Sequence, residues 1–448
     1  MSKILAEISI GEVSPPQGIQ LGGYPHYERL NTGIHDPLYA TWLYLKDERS
    51  GEQTLIMSSD LLNFSRSQVD KIKQAIIVGS NIGLQPEQIN VTCSHTHSAP
   101  ITRGGFRASK DKESYVGPAD EDYVAWLLKK CADLGLEALA NTFPAEIAQG
   151  KAYRGKEHGI KGNRRDPENG PADPEMPILL VRDLSGQLRV IYVAYSMHPT
   201  FLHAESKLVS ADYPGAMRVY FAKKFPSAVF MFGQGASGDQ SSRYFRTGQT
   251  FAEAKRFADV LSEGIMEVIP QLSYTDTVEL KNVMVPINVK LKDFSDLPGA
   301  ERRLAECRRR EQELIDAGAS YTETQTANLW VLGAEHGVRY ARLHAAGEMD
   351  AHLADNVPYT FQITLINDAA YVFLPGEIFV EFSLDIKERS PFEDTYVLTL
   401  SNGSLPGYCV TRDEAATGGY EVWQSMMDVS VGYDMADSVV ATLQKING

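Results

Sequence analysis

Two of the ten histidines, His95 and His97, stand two residues apart at the end of the apolar run "INVTCSHTHSAP". If this run is a strand, its side chains alternate in direction, so both imidazoles project from one face. Neutral imidazole nitrogens bind metal ions, and imidazole also moves protons near neutral pH. The pair therefore indicates a metal site, an acid–base site, or simply two polar residues at a strand end, and only further converging residues can decide.

A third histidine, His198, closes the strand-like run "RVIYVAYSMHP" and precedes Pro199, which favours an exposed turn. A histidine at the mouth of a sheet suits metal ligation. His203 follows beyond a turn, where we expect it near the ligands or on the surface. Asp212 could orient a ligating histidine, but capping of the following helix is the more common role.

Three later stretches carry further polar candidates. Glu377 follows Pro-Gly and is expected to open a helix, where the backbone dipole alone would favour a carboxylate, although it could also point into a cleft. The glycine-rich stretch "FGQGASGDQSSR" could present a serine such as Ser241, or it could be a plain connection. Tyr408 and Tyr420 lie in loop-like sequence. Two histidines and one glutamate with an open position would form a catalytic zinc site.

The elements that must position these residues alternate along the chain. Short β-branched and apolar runs such as "QTLIMSSD", "MPILLVRD" and "SAVFMFGQG" have strand composition. Residues 67–77, 120–141 and 250–268 have the apolar spacing of helices. This alternation predicts an α/β fold with a mixed β-sheet core and surrounding helices.

Residues 297–349 differ from the rest, since they predict two helices joined by a short Gly/Ser/Thr turn. We expect this helical hairpin to be an insertion. No linker, repeat or low-complexity tract divides the chain. Residues 1–448 are therefore expected to form one large catalytic domain.

Composition excludes several classes of partner. The chain of 448 residues carries 43 basic and 58 acidic side chains, a formal charge of −15, which opposes binding to nucleic acid. The four cysteines are far apart and are expected to be free thiols. No signal-peptide core or integral membrane segment is recognisable. We expect a soluble cytoplasmic protein, which could form a homo-oligomer.

Seven segments, in order, resemble the neutral/alkaline, non-lysosomal ceramidases and their bacterial relatives, which are zinc-dependent amidases that cleave the N-acyl bond of ceramide. The resemblance covers nearly the whole chain. The matching segments are "LGGYPHYERLNTGIHDPLYA", "SHTHSAP", "GNRRDPEN…DPEMPIL", "HPT…SADYPG", "GASGDQSS", "LPGE" and "GYCVTRDEAATGGYE".

The resemblance implies a role for eight residues. It makes Zn²⁺ the cofactor, with four protein ligands: His95, His198, Glu377 and Tyr408. The remaining four would be catalytic without binding zinc. His97 would relay a proton, Ser241 would be the nucleophile or orient the attacking water, and Arg164 and Tyr420 would stabilise the developing oxyanion. Whether water or Ser241 attacks first stays open.

Several departures from the family pattern fall around the substrate. Ala99 replaces a glycine, Ser242-Arg243 replaces Pro-Asn, and residues 297–349 have no recognised counterpart. The family's secretion signal and C-terminal β-sandwich domain are not expected here. We therefore expect cleavage of a small soluble amide, ester or lactone.

Three alternatives stay open. The chain could be a true ceramidase that acts on N-acylsphingosine, or a non-catalytic ligand-binding member of the fold. Zinc could also be structural, with Ser241 as a metal-independent nucleophile.

Overall fold

Two stacked β-sheets, covered by helices on both outer faces, form the body of the protein. The computed structural model describes residues 3–24, 27–109, 112–117, 119–160 and 162–448. In chain order the strands are β1 (Ile4–Glu12), β2 (Gly33–Ile34), β3 (Tyr39–Asp47), β4 (Gln53–Ser59), β5 (Ile89–Cys93), β6 (Gly105–Ser109), β7 (Lys112–Gly117), β8 (Phe143–Tyr153), β9 (Gly162–Asn163), β10 (Glu175–Asp183), β11 (Leu188–Tyr195), β12 (Leu208–Val209), β13 (Val229–Gln234), β14 (Gln240–Ser241), β15 (Leu280–Pro286), β16 (Thr360–Ile366), β17 (Ala369–Phe373), β18 (Glu377–Ile378), β19 (Asp394–Leu398) and β20 (Tyr408–Cys409).

The helices follow the periodicity of the sequence. They are α1 (Arg66–Ser80), α2 (Glu121–Glu137), α3 (Asp212–Lys224), α4 (Phe251–Val268), α5 (Leu297–Asp316), α6 (Tyr321–Ala346), α7 (Met349–Leu353), α8 (Val380–Arg389), α9 (Arg412–Thr417), α10 (Tyr420–Gln424) and α11 (Ser430–Asn447). Ser65, Asp120 and Thr250 cap α1, α2 and α4 by accepting a backbone N–H, so each helix begins near its predicted start.

The larger sheet is mixed, as predicted. Its eight strands run in the order β13-β11-β10-β8-β1-β3-β4-β5, with parallel pairs at both edges and antiparallel pairs between. The second sheet has four strands in the order β15-β16-β17-β19. The predicted α/β fold with a mixed sheet core is thereby confirmed.

Four hydrophobic clusters hold these layers together. One lies between the two sheets and includes Leu43, Ile147 and Phe373. On the outer face of the large sheet, α1 and α2 cover one half and α3 and α4 cover the other. The outer face of the smaller sheet is covered by α8 and α11. Because both sheets are covered on two faces, strands β4, β16 and β17 are buried along their whole length.

Three further sequence predictions can be compared with the structure. Helices α5 and α6 form the expected hairpin and pack on each other around Cys307, Val331 and Ala334. All four cysteines are buried and unpaired, as predicted. Among the described residues, no helix combines the length and the apolarity that crossing a membrane requires.

Candidate metal centre and active site

His95 and His97 lie in a loop beyond β5, which ends at Cys93. The argument that they share one strand face is therefore wrong, although the loop still places the centres of their two rings 5.0 Å apart. His95 adopts the left-handed conformation, with φ of 68°, which is uncommon for a residue with a side chain. Its backbone N–H donates to Leu61 O at 2.9 Å. Its ring Nδ1 lies 2.9 Å from Leu62 O, so this loop fixes both the backbone and the ring.

His198 follows the end of β11, as the sequence predicts. Its ring is buried, and its Nδ1 lies 2.5 Å from Ser237 O in the glycine-rich turn after β13. The rings of His95 and His198 are 4.9 Å apart. Two separate segments of the chain thus bring two imidazoles together.

Glu377 does not open a helix, which corrects the prediction. It forms the short strand β18, which pairs in parallel with β20 so that Glu377 lies opposite Tyr408, and α8 begins only at Val380. The helix dipole therefore does not explain this carboxylate. Its Oε2 lies 3.3 Å from His95 Nε2 and 3.1 Å from His198 Nε2.

The hydrogen bonds of these three side chains fit a bound cation. Leu62 O and Ser237 O can only accept, so each histidine carries its proton on Nδ1. A neutral imidazole then presents a lone pair at Nε2, and both lone pairs face the same oxygen of Glu377. Electron pairs that converge in this way repel one another unless a positive charge lies between them. Ligands of a tetrahedral zinc ion are themselves roughly 3.3–3.4 Å apart, from metal–ligand distances of about 2.0–2.1 Å.

The electrostatics of the cluster agree with this arrangement. Burial alone would raise the pKa of Glu377, but positive charge on His95 and His198 would outweigh it and hold the pKa well below its usual range, so this carboxylate is most stable beside a cation. Burial and the nearby Arg164 lower the pKa of His198 to about 4. His198 is therefore neutral and able to bind a metal at physiological pH.

His97 has different surroundings from the other two histidines. Among the described residues, neither of its ring nitrogens has a hydrogen-bond partner, although both are buried. Gly23 packs against the ring with φ of 88°, and a Cβ there would lie 2.4 Å from His97 Cγ. Arg29 braces the loop by donating to His97 O at 2.7 Å. One ring nitrogen from each of His95, His97 and His198 lies within 4.8 Å of the others, so distance alone would also allow a three-histidine site.

Ser241 and Arg164 are brought together by two short strands. Strand β14 pairs with β9 so that Ser241 lies opposite Gly162, two residues before Arg164 in the chain. The Arg164 guanidinium forms an ion pair with Glu421 at 2.9 Å and donates to Gly238 O at 2.6 Å. Ser241 Oγ accepts the backbone N–H of Arg243 at 3.1 Å. The pairing of these two strands therefore holds Ser241 and Arg164 close to each other.

The two candidate tyrosines also converge. The rings of Tyr408 and Tyr420 are 5.9 Å apart, and the Arg164 guanidinium lies 5.7 Å from the Tyr408 ring centre. Burial, with the Glu377 carboxylate nearby, raises the pKa of both hydroxyls well above the usual value. Both tyrosines are therefore protonated and can donate hydrogen bonds.

A cavity of about 520 Å³ opens above the cluster. Five of the eight candidate residues line it: His97, Arg164, Ser241, Tyr408 and Tyr420. Residues 321–332 of helix α6 form one wall of the cavity. The sequence did not predict this, because the apolar spacing of a helix shows which face is buried but not what that face packs against. Helix α6 also contacts α10, where Tyr340 Oη donates to Gln424 O at 3.0 Å.

Of two further candidates, His203 lies near the site and Asp212 has a different role from those expected. His203 lines the cavity, with its ring 4.8 Å from that of Tyr24. The Asp212 carboxylate accepts the backbone N–H groups of Phe201 at 2.9 Å and Tyr213 at 2.7 Å, and α3 begins at Asp212 itself. Asp212 thus holds a loop and is neither an N-cap nor a partner of His198, whose Nδ1 already bonds to Ser237.

A buried carboxylate, Asp239, ties the parts of the site together. It accepts the Val380 N–H at 2.9 Å and the Asn163 side-chain amide at 2.7 Å, and so links the Ser241 turn to the segments that carry Glu377 and Arg164. Its carboxyl group also hydrogen-bonds to that of Glu381. Burial and the charge of Glu381 raise the pKa of Asp239 to about 7.

Glu381→Gln is expected to stabilise the protein above neutral pH. Because the folded pKa of Asp239 exceeds its value of 3.8 in the unfolded chain, its contribution to the free energy of unfolding is fully present below pH 3.8 and is lost as pH rises through about 7. Removing the neighbouring charge should reduce this loss by about 1 kcal/mol at pH 8, a value discounted because Glu381 is partly open to solvent.

Thermal unfolding of wild type and Glu381→Gln between pH 5 and 8 measures this effect. Glu388→Gln, an exposed change on the same helix, is the control. Equal pH profiles for all three proteins would contradict the prediction.

Comparison with known proteins concerns the fold. No protein-family model matches the chain, and no curated protein sequence matches it. The crystal structure of neutral ceramidase from Pseudomonas aeruginosa superposes with a TM-score of 0.72 at 15% identity, over 99% of this chain and 75% of that one. A structure of ceramidase complexed with C2 gives a TM-score of 0.71 at 15% identity, over 99% and 76%. The chain thus has the fold of neutral ceramidase.

Proposed function

We propose that this protein is a zinc-dependent amidohydrolase that cleaves the N-acyl bond of a small soluble substrate. The observation that carries the proposal is the convergence of two imidazole Nε2 atoms on one oxygen of Glu377, at 3.3 and 3.1 Å, next to a cavity lined by Ser241. His95, His198 and Glu377 would hold the ion, with Tyr408 as the fourth protein group. In this proposal residues 1–448 act as one catalytic unit and residues 297–349 are an insertion that shapes its pocket.

A bound zinc ion would supply Lewis acidity toward the amide carbonyl. The chain's own residues would do the rest. Arg164 and the protonated Tyr420 would donate hydrogen bonds to the oxygen on which negative charge develops. Ser241 would attack the carbonyl or orient the attacking water. His97 is neutral, because burial and its two histidine neighbours keep its pKa well below the usual value. It would accept the proton of the nucleophile and pass it to the nitrogen of the leaving amine as the C–N bond breaks.

The lining of the cavity favours a small substrate over a lipid. A ceramide-like substrate needs a long apolar slot for its chains, whereas this cavity is lined by arginines, tyrosines, Gln325 and Thr326 as well as by Leu329 and Leu332. Esters and lactones present the same reacting carbonyl and belong to the same proposal. A cytoplasmic location is also part of it, because four unpaired cysteines suit a reducing compartment.

Metal removal tests the proposal. We expect about one zinc ion per chain, and loss of at least about 99% of hydrolysis after removal of the ion by a chelator, since three ligands would then face an empty centre. Zinc content by atomic spectroscopy and hydrolysis of matched N-acyl amides, esters, lactones and a short-chain ceramide give the readout, and zinc re-addition controls for damage.

The other outcomes select the alternatives. Full activity in the metal-free protein would favour Ser241 as a metal-independent nucleophile. Ceramide as the best substrate would favour a true ceramidase. No turnover of any substrate by the zinc-loaded protein would favour a ligand-binding role.

A further inference from the structure

The cavity above the candidate site is positively charged, although the protein as a whole carries a formal charge of −15. Three arginines line it, Arg164, Arg243 and Arg246, whereas the described lining contains one carboxylate, Glu421. A concave surface with charge of one sign concentrates ligands of the opposite sign.

Two of these arginines already have partners within the protein. Arg164 pairs with Glu421, which is also held by Arg165 at 2.6 Å. Arg246 donates to Thr200 O. These bonds fix the two guanidinium groups as parts of the pocket wall.

Arg243 differs from both. Its backbone N–H is bonded to Ser241 Oγ at 3.1 Å, but its guanidinium forms no hydrogen bond or ion pair with any residue that the structure describes. Glu421 is the carboxylate that raises its pKa, but burial and the neighbouring Arg164 outweigh this and lower it. The Arg243 side chain is half-buried and lines the cavity, so the donors of its guanidinium are available to a ligand anion.

The position of Arg243 also bears on the substrate. It stands two residues after Ser241, and its backbone N–H bonds to the Ser241 hydroxyl oxygen, so the cation lies next to the candidate nucleophile. Across the cavity, α6 supplies hydrogen-bonding side chains such as Thr322 and Gln325. The part of the cavity next to Ser241 thus has a cation on one side and hydrogen-bonding side chains of α6 on another.

We propose that the pocket selects an amide that carries an oxyanion group, and that Arg243 binds this group. The inference rests on the proposed amidohydrolase function and specifies its substrate class: an N-acyl amino acid or an amide that bears a phosphate monoester. Guanidinium groups bind either oxyanion through two parallel hydrogen bonds.

Calorimetric titration of the zinc-loaded protein with three probes tests this inference. The probes are N-acetylglycine, its neutral counterpart N-acetylglycinamide, and N-acetylethanolamine phosphate. At least one anionic probe should bind about tenfold or more tightly than the neutral one, as expected for a charge-assisted hydrogen-bonded pair. The stronger anionic probe identifies the carboxylate or the phosphate as the natural group.

Arg243→Gln should abolish the preference for the anion and leave binding of the neutral probe unchanged, whereas Arg243→Lys should retain part of it. Arg389→Gln, an exposed change on α8, is the matched control and should bind like wild type. Thermal unfolding establishes that each variant is folded. If Arg243→Gln is not folded, the reduced preference for the anionic probe is measured in Arg243→Lys against wild type instead.

Equal binding of the neutral and anionic probes, failure of both anionic probes to bind, or an unchanged preference in Arg243→Gln would overturn the inference. Because the preference for the anion is read from binding affinity, absence of hydrolysis would contradict the proposed activity while leaving this result intact.

Discussion

His95→Ala is expected to lose both zinc and activity, whereas His97→Ala is expected to keep zinc and lose rate. His95 Nε2 faces the Glu377 oxygen at 3.3 Å. Its removal leaves His198, Glu377 and Tyr408 as the protein ligands of the proposed zinc ion. His97 lines the cavity and makes no such contact. We expect zinc occupancy of His95→Ala to fall to about a tenth or less. For His97→Ala, kcat should fall by about 10²–10⁴-fold, the usual contribution of a general base.

Atomic spectroscopy after dialysis and steady-state kinetics on the same samples measure these effects. His344→Ala, an exposed change near the end of α6, controls for the loss of an imidazole as such. Loss of zinc from His97→Ala would contradict the prediction and would favour the three-histidine centre that the 4.8 Å separations allow.

Ser241→Ala is expected to lower kcat strongly with little change in KM. Ser241 is held close to Arg164 by the pairing of β14 with β9, and it lines the cavity. If its hydroxyl is the nucleophile, the loss should approach about 10⁶-fold, as for the serine of a hydrolytic triad. If it orients the attacking water, a loss of about 10²–10⁴-fold is expected.

The neighbouring Ser242→Ala is the matched control. Ser242 is fully buried and is not part of the cavity lining, so its activity should stay within a few-fold of wild type. Zinc content must be equal in both variants for the comparison of kcat to be valid. Activity of Ser241→Ala within threefold of wild type would exclude both roles for the hydroxyl.

Local sequence signals were sufficient for much of the fold. The helices α1, α2 and α4 begin at Ser, Asp and Thr caps that can be recognised in the sequence, and their apolar spacing specifies the buried face. The α5–α6 hairpin was predicted for the same reason. Capping and periodicity depend on residues within a few positions of one another, so both signals can be recognised in a single sequence.

Signals were weaker where a residue lies just outside a regular element. The strand argument for His95 failed because β5 ends at Cys93, and the helix predicted at Glu377 begins three residues later. In both places a long-range contact replaces the local preference: Leu61 and Leu62 hold His95, and β20 pairs with Glu377. Such contacts leave no periodic trace in the sequence.

The sequence by itself determined the α/β class, the positions of α1, α2, α4 and the α5–α6 hairpin, and the types of residue that a zinc amidase site would need. Only the tertiary structure decided that His95, His198 and Glu377 meet, and that α6 walls the cavity beside Arg243. The physical reason is separation along the chain, since Glu377 stands 282 positions after His95. Backbone propensity acts over a few residues, whereas the geometry of a site is set by the packing of layers that those propensities do not specify.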